Sequence, residues 1–455
     1  MSITSLTFVV FLATTAAIAF LLPRRHRESL LLAGSFISYG WGDPSRIILL
    51  LWVIAACVIA SRTATALPRL NPFWKVLTVI PLLAYKLHLP LLESVDIASI
   101  DLDLGLNVQL VDLPLGLSFF TLQAYSYIHA LRTDQGIRSW RISRTALYIA
   151  YFPQLTAGPI VHPRYFDEAL ASAPLRPRME WLPSALSLLI LGLFEKLAVA
   201  NVLASVAADN FRATSGTPLL VFVVAFIGGF YELKGYLDIA RGASLCFGIP
   251  LPPNVLQPLT ASRSVADFWQ RWQRTVMAFF RDHIYLPLRR SNLIGKRVIA
   301  TIGTFVVVGA WHNLSVLWAA WGCAVGIVTV VDGKVRGILP RPRQSPSRFR
   351  VLFRSLVVLF ITASTLPVLT AGSLTDIPGV YTNLSPFGFT PSLLIAGLAG
   401  WLMAVPIDRK DRAFNLSGRE ELIMTLPGAF TLGVMLVASI LLFDVGGSTF
   451  VYQVF

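Results

Sequence analysis

From Val298 to Val331 the chain runs 34 residues with one ionisable side chain, His312. About 20 apolar residues are enough for a helix to cross a bilayer. A helix also satisfies its own backbone hydrogen bonds there, where no water can do so. Met1 to Pro23 and Ser355 to Thr375 are likewise free of charged side chains. The apolar surplus is general. The 455 residues are 55% hydrophobic and 14% charged, with mean hydropathy +0.67, whereas a soluble domain carries close to a quarter charged residues. Long apolar blocks, rather than short alternating strands, exclude a β-barrel. The expected fold is an all-α polytopic membrane protein, with roughly ten to twelve transmembrane helices plus re-entrant or interfacial helices around a central tunnel.

The N-terminal run reads as a first transmembrane helix. Its basic cluster, Arg24, Arg25 and Arg27, follows the apolar stretch instead of preceding it, the wrong order for a signal peptide. Lys and Arg collect in cytoplasmic loops, so this cluster puts the N-terminus outside. Asp43 then falls outside, and Arg62, Arg69 and Lys75 fall inside. The acid-rich segment Glu93 to Asp112 returns outside, and Arg132, Arg138, Arg141 and Arg144 return to the cytoplasm.

The alternation fails between about Thr145 and Val298. Charges are scattered there through apolar sequence (Glu195, Lys196, Glu232, Asp238, Arg241), and Pro153, Gly158, Pro159, Pro250, Pro252 and Pro253 interrupt it. Polar backbone at membrane depth survives only when buried in protein or lining a cavity. Gly333 to Arg354 holds seven basic residues and no acid, as a cytoplasmic loop does. A net charge of +14 therefore calls for no nucleic acid. Cys57, Cys246 and Cys323 lie in apolar surroundings without metal-like spacing and read as small buried hydrophobes. There is no internal repeat or low-complexity stretch, and residues 1–455 read as one domain.

A histidine inside an uncharged run is costly without partners, so such residues are functional candidates by default. Imidazole is suited to accept and return a proton near neutral pH, yet a hydrogen-bonded core histidine fits His312 equally well. A second cluster runs from Ser264 to Leu288 and includes Trp269, Arg271, Trp272, Gln273, Arg281 and Asp282. Its aromatic and charged residues alternate, as in a helix lying at the interface. It is either an anchor or the wall of a polar chamber, where Arg and Trp hold an anionic or flat ligand. A third group, Leu113 to Gln123 and Tyr151 to Pro159, places Gln123 and Gln154 among Pro, Gly and hydroxyl residues. Structural kinks explain it as well as substrate contacts do. No Walker-type loop, G-x-S-x-G elbow or i, i+4 His pair occurs, so no metal site is expected.

Taken together, these residues resemble the membrane-bound O-acyltransferase family, in the bacterial branch that modifies alginate and teichoic acids. The matching motifs follow in order: Leu22-Pro23-Arg24-Arg25, Pro114 to Thr121, Phe152-Pro153-Gln154 with Ala157 to Ile160, and Gly235 to Ala240 including Tyr236 and Asp238. Then come Asp267-Phe268-Trp269 with Arg271-Trp272, Arg281-Asp282 with Tyr285 to Leu288, and Trp311-His312. The resemblance implies acyl transfer from a cytoplasmic thioester, acetyl coenzyme A or a carrier protein, to a hydroxyl on the outer side, with no permanently bound cofactor. The family's central histidine falls on His312, with the implied role of general base. Trp269, Arg271, Trp272, Gln273, Arg281, Asp282, Asn313, Gln123, Gln154, Tyr236 and Asp238 become candidate donor or substrate contacts. Implied partners are membrane lipid, a glycan acceptor and a periplasmic acyltransferase of the SGNH type; the implied location is the inner membrane. Two positions depart from the branch: Gln273 stands where it usually has His, and Asn313 where it often has Gly. Gln hydrogen-bonds but does not transfer protons at neutral pH, which keeps a non-catalytic export or scaffold role in view. A proton-coupled transporter would show paired intramembrane acids and a repeat, and neither stands out.

Overall fold

The computed structural model describes residues 1–92, 99–102, 106–109, 114–132, 134–173, 181–213, 219–256, 258–292, 294–338, 348–371, 373–384, 390–413 and 426–441. Most of the acid-rich 93–112 segment and the centre of the basic 333–354 segment lie outside these residues. The described chain is helical apart from one short antiparallel pair, Ser99–Leu102 with Leu106–Gln109, in register Ser99 to Gln109. Among the described residues, five helices are long and apolar enough to span a bilayer: Arg46–Thr63, Leu182–Phe211, Leu219–Leu245, Val316–Ile338 and Phe349–Thr370. Shorter apolar helices run Leu6–Leu21, Pro391–Leu402 and Phe430–Ser439. Many of their large side chains point outward, Leu21, Ile395 and Phe430 among them. Such apolar exposure suits lipid, because bilayer tails are as apolar as leucine.

The chain forms two compact units, Met1–Leu191 with Tyr236–Pro252, and Gly192–Gly235 with Pro253–Phe455. In the first, helix boundaries fall where the sequence changes character. Ser5 caps Leu6–Leu21 by accepting from the Phe8 N–H at 3.1 Å, and Pro23 separates it from Arg24–Gly40. Arg144 joins three helices by pairing with Glu28 at 2.6 Å and with Asp167. The two Pro- and Gly-containing motifs of this unit lock together. Gly116 takes φ 86, and a Cβ there would lie 2.6 Å from the Leu155 carbonyl oxygen. Only glycine suits both demands.

In the second unit an apolar helix is widened at Glu195–Ala200 into a π-helical turn. This turn holds Glu195 and Lys196, and both pair with residues of Leu219–Leu245: Lys196 with Glu232 at 2.7 Å and Glu195 with Lys234 at 2.8 Å. The sequence shows these charges as scattered. The structure makes them two crossed, buried ion pairs.

Candidate active site

His312 ends the helix Lys296–His312, and the chain turns at once into Val316–Ile338. The uncharged run is therefore a helical hairpin with its histidine at the bend, not one long span with the histidine inside it. Glycines bring the two helices into backbone contact. A Cβ on Gly309 would sit 2.1 Å from the Trp318 carbonyl oxygen, and one on Gly322 2.1 Å from that of Phe305. On Gly326 it would sit 2.7 Å from Ile302 Cα. Small residues at such crossings allow the closest helix packing in membranes. At the bend the Asn313 N–H donates to the Gly309 carbonyl at 3.1 Å, and Ser315 Oγ accepts from the Trp318 N–H at 3.3 Å.

This bend sets the half-buried imidazole among indoles. Its ring centroid lies 4.7 Å from Trp311, 5.4 Å from Trp318 and 6.0 Å from Trp321. Trp321 is held in place by its Nε1–H, which donates to Thr365 Oγ1 at 3.1 Å. Phe280 packs edge-on against Trp311 at 5.8 Å.

Trp269 joins the same ring cluster, 5.5 Å from Phe305 and 6.4 Å from Trp321. Its helix, Val265–Arg271, is capped by Ser264, whose Oγ accepts from the Asp267 N–H at 2.9 Å. Asp332 of the return helix accepts from the Val265 N–H at 3.0 Å. Trp269 is 6% exposed, and its indole Nε1–H has no acceptor among the described residues. A buried donor left unpaired costs about 1–3 kcal/mol.

The expectation of one interfacial helix from Trp269 to Asp282 is corrected here. The helix stops at Arg271, and Gln273 adopts φ 44 and ψ 52, the only positive φ at a non-glycine among the described residues. A new helix, Arg274–Phe280, then leads into a π-helical turn, Arg281–Tyr285. Neighbouring backbone enforces the break: the Leu256 N–H donates to the Arg271 carbonyl at 3.0 Å, and the Arg274 N–H to that of Asn254 at 2.8 Å. A periodicity argument cannot see these partners, because they are remote in sequence.

The remaining candidates sort by unit. Arg271 pairs with Asp267 at 2.8 Å, Trp272 stacks on Phe230 at 5.2 Å, and Gln273 is buried. Arg281 and Asp282 pair with each other at 2.8 Å on an exposed turn. Asn313 is exposed just beyond the histidine. Gln123, Gln154, Tyr236 and Asp238 belong to the first unit. There Gln123 Oε1 accepts from the Val161 N–H at 3.1 Å, and Gln154 Nε2 donates to the Tyr148 carbonyl at 3.4 Å. Asp238 pairs with Arg241 at 3.0 Å. Sequence reasoning missed Trp318 and Trp321 as neighbours of His312, and Phe305 and Thr365 as residues that pack on or bond to the surrounding indoles. The available signal was three tryptophans, 311, 318 and 321, gathered around the lone histidine of the run.

The model of the MBOAT, membrane-bound O-acyltransferase family, matches residues 37–362. This chain belongs to that family. The matched interval contains His312, Gln273 and Trp269. A peptidoglycan O-acetyltransferase from Helicobacter pylori is 31% identical over 257 residues, 48% of this chain and 47% of that protein. A probable alginate O-acetylase AlgI from Pseudomonas syringae is 28% identical over 348 residues, 73% of this chain and 66% of that protein. A teichoic acid D-alanyltransferase from Streptococcus thermophilus is 26% identical over 235 residues, covering 48% and 56%. The chain thus spans about half the length of the first relative and just under two thirds of the second. Family membership and the apolar helices make it an integral membrane protein.

Proposed function

We propose that this chain is an O-acyltransferase that moves a short acyl group, acetyl in the first instance, from a cytoplasmic thioester to a hydroxyl on an extracytoplasmic glycan or partner protein. The observation that carries this reading is His312, the one ionisable residue of its apolar run, half-buried among three indoles at a glycine-packed bend. In the reaction the hydroxyl oxygen attacks the thioester carbonyl carbon while the imidazole takes the hydroxyl proton. The new C–O bond forms, the C–S bond breaks, and the imidazolium returns its proton to the departing thiolate. A positioned base of this kind contributes on the order of 10²–10⁴-fold.

The acceptor is drawn as a glycan because the named relatives are a peptidoglycan O-acetyltransferase, an alginate O-acetylase and a teichoic acid D-alanyltransferase. Acetyl coenzyme A is the proposed donor, with an acylated carrier protein as the alternative. Arg281 follows Phe280, which packs on Trp311, and is a candidate to hold an anionic group of the donor. The chain is read as one catalytic domain, since the family match runs through residues of both units. The inner membrane is its proposed location, and a periplasmic acyltransferase its proposed partner. A scaffold role is the second reading, and Gln273 favours it, because the resemblance expects histidine there.

Purified protein with radiolabelled acetyl coenzyme A and candidate glycans tests the proposal. Wild type should consume thioester and label an acceptor, whereas His312→Ala should lose at least about 100-fold in turnover while keeping its thermal midpoint. Equal turnover in the two would remove His312 as base. A wild type inert with both donor types would favour the scaffold.

A further inference from the structure

We infer that Trp269 is a second catalytic group of this site, its indole N–H donating a hydrogen bond to the acyl carbonyl oxygen of the donor as negative charge develops there. The inference rests on the acyltransferase reading of His312 and adds what that reading lacks, a donor for the oxyanion. Attack on a thioester carbonyl drives an electron pair onto its oxygen before the C–S bond breaks. Preorganised donors aimed at that oxygen in a site that excludes water supply a large part of such catalysis. An imidazole occupied with the hydroxyl proton cannot serve both ends.

Trp269 supplies such a donor within the ring cluster. Trp321 already spends its N–H on Thr365 at 3.1 Å. Trp269 packs against that same Trp321 at 6.4 Å and against Phe305 at 5.5 Å, yet its Nε1–H is buried without an acceptor. Trp321 is the shared neighbour, since it also meets His312 at 6.0 Å. Trp74 and Trp401 also bury an indole nitrogen without an acceptor, but neither is joined to this cluster by a ring contact among those described, while Trp311 is a second indole of the cluster, 4.7 Å from His312. The fold fixes Trp269 from both ends of its short helix, through Asp332 at Val265 and through the Trp272 stack on Phe230. The N–H therefore needs no reorganisation as charge appears.

The test replaces Trp269 with benzothienylalanine, which keeps the fused bicyclic shape and has sulfur in place of N–H. Turnover of acetyl coenzyme A should fall on the order of 100-fold, with KM within about twofold and an unchanged thermal midpoint. Trp269→Phe should fall further, having lost ring contact as well. An independent readout is the infrared carbonyl band of bound acetonyl coenzyme A, a ketone analogue without a scissile bond. That band should shift to lower frequency in wild type and in His312→Ala, and lose the shift with benzothienylalanine. Wild-type turnover in the benzothienylalanine variant, or a carbonyl band indifferent to it, overturns the role of Trp269 and leaves His312 untouched. Retained turnover in His312→Ala, with the infrared shift intact, removes the base and keeps the donor.

Discussion

Gln273 is held at φ 44 by a turn that its neighbours dictate. Asn254 accepts from both the N–H and the hydroxyl of Thr275, at 2.7 and 2.9 Å, and its carbonyl takes the Arg274 N–H. The left-handed region costs a non-glycine residue about 1–2 kcal/mol, least for asparagine and most for β-branched side chains. Gln273→Asn should therefore leave the thermal midpoint in detergent nearly unchanged, and Gln273→Val should lower stability by about 1–3 kcal/mol. Equal midpoints would mean that the turn relaxes. The residue scale also separates what composition can locate from what it cannot. His312 stands out because an ionisable group in an apolar run is conspicuous in any sequence. Trp269 stands out only when its unpaired N–H is seen, since a tryptophan in an aromatic-rich segment is ordinary.

At the scale of elements, the π-helical turn Glu195–Ala200 shows how an apolar helix tolerates charge. Glu195, Lys196, Glu232 and Lys234 are each at most 4% exposed at the side chain, and each pairs across to the other helix. Gly235 permits the approach, because a Cβ there would lie 2.7 Å from the Gly192 carbonyl oxygen. Isolated charges in such surroundings are expensive, so breaking one pair exposes the penalty while removing both ends avoids it. Lys234→Met alone should cost about 3–5 kcal/mol, and Glu195→Leu with Lys234→Met should recover most of that loss. Thermal unfolding of the two singles and the double makes the cycle. Strictly additive losses would show that the pair is not coupled.

At the scale of the whole molecule, the early helix boundaries coincide with the charge clusters read from the sequence. Breaks fall at Leu22–Pro23, between Gly40 and Arg46, and between Thr63 and Asn71, next to Arg24 to Arg27, Asp43, and Arg62 to Arg69. Positive-inside logic applied to these three breaks predicts that the N-terminus and Asp43 are extracytoplasmic. Alkaline phosphatase fused after Asp43 should be active in cells, and the same enzyme fused after Arg69 should be inactive. The opposite pattern would invert the orientation.

Hydropathy alone determined that this chain enters a membrane as helices, because the free energy of apolar surface depends on composition and run length, not on contacts. It also exposed His312, since charge is scarce in such runs. Tertiary structure decided what stands around that histidine. The bend after His312, the backbone contact through Gly309, Gly322 and Gly326, and the indoles brought against the ring all depend on close packing between segments. Likewise, only Asn254 and Leu256 fixing Arg271 to Thr275 break the expected interfacial helix at Gln273. The charges between residues 195 and 234 read as scattered for the same reason: their partners are 36 to 39 residues away, a distance that periodicity does not encode and helix packing does.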